Sequence, residues 1–202
     1  MTKIFLTLTL FIIPIAIQCQ NITAGTILGI NTSQVSGDNL GGFNKIGVNL
    51  GGFVIGKFKK FDTQIELKYI NKGSREIIDN QTYNEGYRFH ISYLEIPLMI
   101  KKSLSKKHSI ELGWSIAYLV KWEETYNGAN EARIELNNTD FSFLMGYNYK
   151  LRKNLYLNSR LSNSITPIRP HNSGQIYRWN KGQYNTSISF SILYQIGEKP
   201  KK

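Results

Sequence analysis

The chain has 202 residues, with 25 Lys or Arg against 14 Asp or Glu, for a net charge of +11. A single cysteine excludes a disulfide framework, and the length holds one domain with no room for a second. The positive balance does not indicate nucleic acid: the cations gather in short clusters (Lys59-Lys60, Lys101-Lys102, Lys106-Lys107, Arg152-Lys153 and the tail) rather than interleaving with aromatics along one groove.

Lys3 precedes an apolar run from Ile4 to Ile17, followed by Gln18-Cys19-Gln20. A positive start, a short apolar segment and a small residue before a cut describe a secretory signal peptide, residues 1–19. The run is shorter than the roughly 20 apolar residues of a spanning helix. A lipid anchor on Cys19 is the alternative, against which Ile17 and Gln18 stand where small residues are wanted. Cleavage after Cys19 leaves a cysteine-free domain, 20–202, without a thiol nucleophile.

Beyond the leader the apolar residues recur with a period of two, the signature of extended strands. The alternation predicts a first strand over Ile22 to Ser33, a second over Lys45 to Phe58 and a third over Phe61 to Asn71, where Ile65, Leu67 and Tyr69 oppose Gln64, Glu66 and Lys68. The fourth, Phe89 to Lys101, carries the plainest pattern: Leu94, Ile96, Leu98 and Ile100 oppose Tyr93, Glu95, Pro97 and Met99. In the fifth, Ile110, Leu112, Trp114, Ile116, Tyr118 and Val120 face away from Glu111, Gly113, Ser115, Ala117 and Lys121. The sixth sets Phe141, Phe143, Met145, Tyr147 and Tyr149 against Ser142, Gly146 and Asn148. The seventh sets Leu155, Leu157 and Leu161 against Asn158, Arg160 and Ser162, and the eighth Ile188, Phe190, Ile192, Tyr194 and Ile196 against Ser187, Ser189, Ser191 and Gln195.

The links alternate in length. Those at Lys59-Lys60, Ser103 to Lys107 and Leu151 to Asn154 are short, and those at Ser36 to Asn44, Lys72 to Arg88, Glu123 to Asn138 and Thr166 to Gln183 are long. Short turns at one end, long loops at the other and both termini at the short-turn end predict an all-β fold, an eight-stranded antiparallel up-and-down transmembrane β-barrel. Closure removes the strand edges that lipid would not tolerate.

Alternation alone does not say which face is outside, since a soluble lipocalin-like barrel has the same period with its apolar side inward. Three features favour lipid outside. The polar face is rich in Gly and Ser (Gly47, Gly51, Gly113, Ser115, Gly146, Ser189), as a narrow filled lumen requires. The apolar face ends in aromatics, Phe58, Phe61, Tyr149 and Tyr194 at the short-turn end and Tyr69, Tyr118, Trp122 and Phe141 at the other, as interfacial girdles do. The charges on the polar face, Glu66, Lys68, Glu95, Glu111, Lys121 and Arg160, include both signs and can neutralise one another as a luminal network in which Glu95 pairs with Lys68 or Arg160.

The segment from Ile65 through Tyr69 and Gly73 to Ser74, followed after one long loop by Tyr93-Leu94-Glu95-Ile96-Pro97-Leu98, resembles the PorT-like outer-membrane β-barrels, as does Gly29-Ile30-Asn31. That resemblance implies a small eight-stranded barrel of the Gram-negative outer membrane, whose namesake assists protein export of the type IX kind. Such barrels usually finish on an aromatic residue, whereas here Tyr194 is followed by Gln195-Ile196-Gly197 and a basic tail to Lys202.

Chemistry is sparse. His90, His108 and His171 have no informative neighbours in sequence, so no catalytic residue is assigned and the chain is not expected to be an enzyme. Glu123-Glu124 with Glu131 and Glu135 read as a solvated loop face rather than a metal site, and no cofactor is implied. The expected role is structural or accessory within the cell envelope, with outer-membrane lipid around the barrel and envelope or secretion proteins as partners of the long loops. Tyr83, Tyr87, Tyr126, Tyr177 and Trp179 are the candidate contacts. A narrow or gated pore and a secreted ligand-binding barrel are the alternatives.

Overall fold

The computed structural model describes residues 21–38, 40–76, 86–130, 134–171 and 181–196. Residues 1–19, the expected leader with Cys19, lie outside them. The strands are β1 (Asn21–Ser36), β2 (Lys45–Lys57), β3 (Asp62–Arg75), β4 (Tyr87–Ser103), β5 (His108–Tyr126), β6 (Ala129–Asn130), β7 (Thr139–Arg152), β8 (Leu155–Ser164) and β9 (Tyr184–Ile196). Each long strand pairs antiparallel with its neighbours, and β9 returns to β1 from Ala24↔Ile196 to Ser36↔Tyr184, closing an eight-stranded barrel. The fold expected from the alternation is the fold observed.

The remaining strand, β6, pairs only with the end of β5 (Tyr126↔Ala129). It is joined to β5 by Asn127-Gly128, whose φ angles of 49° and 79° suit the tight turn of a two-residue hairpin. At the opposite end the turn 58–61 is closed by a hydrogen bond from Phe58 N–H to Phe61 O at 3.0 Å, with the two rings stacked at 5.3 Å.

The faces divide as a membrane barrel requires. Leu28, Ile30, Leu67, Leu94, Ile96, Leu98, Leu112, Trp114, Phe143 and Ile192 all point outward and are exposed. Glu66, Lys68, Glu95, Glu111 and Arg160 point inward and are buried. Aliphatic side chains standing in a continuous exposed band would be penalised in water but not in hydrocarbon.

One irregularity changes the parity. Between β4 and β5 the register shifts, so that Ser92 opposes Lys121 while Tyr93 opposes Leu119, leaving Val120 as an extra residue on β5. Before it, Glu111, Ser115 and Ala117 face inward; beyond it, Glu124 is buried and Lys121 is exposed. Lys121 is therefore outside the lumen, contrary to strict alternation. Trp122 likewise turns from the expected girdle to meet Phe89 edge-on at 6.4 Å.

The lipid-facing band carries a direct consequence for stability. Ile96→Arg, near the middle of β4, should cost about 2–4 kcal/mol, read as a lower denaturant midpoint for unfolding from lipid vesicles. Lys121→Ala should change it by less than about 0.5 kcal/mol.

Candidate functional site

The lumen is filled in tiers. At the short-turn end Ile27, Phe53, Ile55 and Leu193 form an apolar plug, with Tyr156 packed against it. These positions share the inward parity of the polar residues, so apolar side chains interrupt the polar face at this end.

The middle tier centres on Arg160 of β8. Its Nη1 and Nη2 donate to the two oxygens of Glu66 at 2.8 and 2.7 Å, and its Nε donates to Glu111 Oε1 at 2.7 Å. Glu111 also accepts from Asn148 at 2.9 Å and Asn158 at 2.8 Å, and pairs with Lys101 at 3.2 Å. A guanidinium fork engaging two carboxylates is the geometry in which a buried charge is best satisfied. Gly146 makes the approach possible, because a Cβ there would sit 2.6 Å from Glu111 Oε1.

Above it, Glu95 lies between Lys68 at 3.8 Å and Lys72 at 3.7 Å, and Lys72 continues to Asp140 at 3.6 Å. Of the two partners expected for Glu95, Lys68 is the one present; Arg160 is committed to Glu66 and Glu111. These lysine contacts are longer than hydrogen bonds and act through Coulomb attraction in a medium of low polarity. Asn185 donates to Asp140 at 3.0 Å, and the Lys72 ammonium lies 5.6 Å over the Tyr93 ring. Glu66, Glu95, Glu111 and Asp140 are thus matched by Lys68, Lys72, Lys101 and Arg160, and the buried set is electrically neutral.

At the long-loop end a second apolar cluster closes the lumen: Val35, Ile70, Phe89, Ile91, Tyr93, Ala117, Leu136 and Ile168. It is capped by Arg169, from the loop after β8, whose Nη1 and Nη2 donate to Glu124 at 2.6 and 2.8 Å. The same guanidinium lies 4.5 Å over the Phe89 ring and donates from Nε to Gln183 at 2.7 Å. Burial disfavours the Arg169 charge, and the Glu124 carboxylate beside it more than offsets that, so the guanidinium pKa is raised.

Five of the six expected luminal charges converge here and Lys121 does not. Lys72, Lys101, Asp140 and the Arg169–Glu124 cap join them without having been singled out from the sequence. The signal was present for Lys72, which continues the parity of Glu66 and Lys68 on a strand that runs on to Arg75. Among the loop aromatics, Tyr87 is partly buried and donates its hydroxyl to Glu124 at 2.5 Å, so it supports the cap. Tyr126 is exposed in the β5–β6 hairpin. Tyr83, Tyr177 and Trp179 lie outside the described residues.

Of the histidines, His90 Nε2 stands 3.3 Å from Ser92 Oγ on the outer wall, where Ser92 also accepts from Asn71 at 2.9 Å. Among the described residues no carboxylate comes within ion-pair distance of His90, so the pair lacks the acid that would orient it. His108 packs on Tyr149 and contacts the Tyr147 hydroxyl at the short-turn end. Among the described residues no group of three or more His, Cys, Asp or Glu is arranged to hold a metal ion; Glu124 is taken by Arg169, and Glu131 lies outside them.

Residues 18–169 match the outer membrane protein β-barrel domain family. The chain belongs to that family. Neisserial surface protein A superposes with a TM-score of 0.55 at 9% identity, over 88% of this chain and 100% of that one. Ail, the attachment invasion locus protein of Yersinia pestis, crystallised with the heparin analogue sucrose octasulfate, gives 0.50 at 11% identity, over 88% and 100%. Ail in a phospholipid nanodisc gives 0.50 at 11%, over 87% and 100%. At such identities the likeness speaks for the fold. No curated protein matches the sequence. Family and fold together place the chain in the outer membrane of a Gram-negative bacterium, and the soluble ligand-binding barrel is set aside.

The luminal network predicts its own asymmetry. Arg160→Met strands Glu66 and Glu111 without their shared partner and should cost about 3–5 kcal/mol of unfolding free energy in detergent. Combining it with Glu66→Gln should restore part of that loss, because an amide at position 66 needs no counter-charge, Glu111 keeps Lys101, and the buried set is neutral again.

Proposed function

We propose that this protein is a sealed, non-enzymatic barrel that anchors its long loops at the cell surface and serves a structural or accessory role in the envelope, of the secretion-assisting kind that the PorT-like resemblance implies. One observation carries the reading: the lumen is occupied from end to end by an apolar plug, a neutral ion network and a second apolar cluster with its Arg169 cap. Among the described residues this filling leaves no through path, and the recess of about 230 Å³ at the short-turn mouth is floored by the plug residues Ile55 and Leu193, so contacts with partners fall to the loops and the outer wall. Tyr126, exposed at the tip of the β5–β6 hairpin, is the described loop aromatic best placed for such a contact.

Two measurements test it. Purified protein inserted in planar bilayers should give no steady unitary conductance under applied voltage; a reproducible open level would establish the narrow or gated pore instead. A photo-crosslinking residue at position 126 should capture an envelope protein in intact cells, whereas the same probe at the lipid-facing position 96 should not. Equal capture at both positions, or at neither, would remove the loops as the contact surface.

A further inference from the structure

The outer wall carries a second feature that the sealed-lumen reading does not use. The β2–β3 ladder ends at Asn49↔Ile70, while β2 continues back to Lys45 and β3 on to Arg75. Above that point β3 leans toward β1 instead, with Asn31 Nδ2 donating to Asn71 O at 2.7 Å and Ser33 Oγ to Gly73 O at 3.0 Å. The separation opens a cleft in the wall lined by Asn44, Lys45, Ile46, Arg75, Arg88 and His90.

Its composition is unusual for a strand pair. Arg75 and Arg88 stand directly opposite each other, with Gly73 opposite His90 one step of the same face below. Like charges in direct opposition destabilise a sheet. Among the described residues neither arginine has an ion-pair partner: Glu76, next to Arg75, accepts from the Tyr87 N–H at 3.1 Å, Glu124 is taken by Arg169, and Glu123 stands opposite His90 on β5. The Lys45 ammonium enters the cleft from β2, spending one hydrogen bond on Ile46 O at 3.0 Å.

Position supplies the rest. Directly below the cleft the outward residues are Val48, Leu50, Leu67, Tyr69 and Leu94, all exposed and all apolar or interfacial. The basic cluster therefore sits just above the top of the hydrocarbon band, on the long-loop side, at the depth of outer-leaflet headgroups.

We propose that this cleft is a binding site for the phosphate of an anionic lipid in the outer leaflet, with the acyl chains lying on the Val48–Leu67–Leu94 wall. Two guanidinium groups and an ammonium converging on one opening match a phosphate monoester in charge and in bidentate geometry. A bound phosphate relieves the Arg75–Arg88 repulsion, which gives the pair a reason to be tolerated.

The test uses the full mature protein in a neutral detergent. Titration with phosphatidic acid, diacylglycerol and inorganic phosphate is followed by native mass spectrometry, and heat-dependent gel mobility verifies the fold of each variant. Phosphatidic acid should bind and diacylglycerol should not, and equimolar inorganic phosphate should fail to displace the lipid. Arg75→Gln with Arg88→Gln should weaken phosphatidic acid by about twenty-five-fold, at about fivefold per cation. If the double variant does not fold, Arg88→Gln alone reads the fivefold step. Equal binding of diacylglycerol would reduce the site to a greasy contact, displacement by inorganic phosphate would make it a soluble-anion site, and an unaffected variant would place the lipid elsewhere. Each of these overturns the proposal without touching the sealed lumen.

Discussion

Hydrocarbon offers no hydrogen-bond partner to a peptide group, so every backbone N–H and C=O within the bilayer must be answered by the chain itself. In this protein that obligation is met by the return of β9 to β1, which leaves no edge among the eight long strands. Everything inside follows from it. Eight strands enclose a space wide enough for side chains and little more, and a narrow dry tube lined by charges would be unstable unless each charge found a partner. The lumen is consequently a packing problem as much as an electrostatic one.

Its solution combines two kinds of filling. Apolar clusters at both ends keep water away from the middle, and the excluded water raises the strength of every ion pair between them while raising the penalty for any that is missing. Arg160 can reach Glu66 and Glu111 at once because its strand faces β3 across the lumen and lies only two strands from β5, with Gly146 between them leaving the space a side chain would occupy. Replacing such a network whole with aliphatic residues often costs nothing in stability, whereas removing one partner leaves a buried charge unpaired.

The long-loop end works differently. There β3, β4 and β5 run past the apolar band, β2 parts from β3, and β5 takes an extra residue at Val120. The larger departures from ideal pairing lie where the wall leaves the hydrocarbon and water can again satisfy the backbone; the short-turn end shows one register shift, between Lys150 and Arg152. They also create what distinguishes this end: a capped lumen under Arg169 and a basic cleft on the outer wall. The lower part of the barrel, held between short turns, is regular by comparison.

The period of two and the alternation of short and long links were enough to determine the number of strands, their antiparallel closure and the face that meets lipid, because each of those depends on residues close in sequence. The same parity put Glu66, Lys68, Glu95, Glu111 and Arg160 in one lumen. It did not say who pairs with whom, since Arg160 and Glu66 are 94 positions apart and their meeting depends on barrel closure and stagger. Lys121 and Trp122 were misplaced for a local reason that is invisible locally: a bulge is defined by two strands, and Val120 looks like any other lipid-facing valine until its opposite number on β4 is known. The apolar plugs escaped notice because Phe53, Ile55 and Phe89 carry hydrophobicity on the inward parity, where only a closed lumen with no water in it makes them stable.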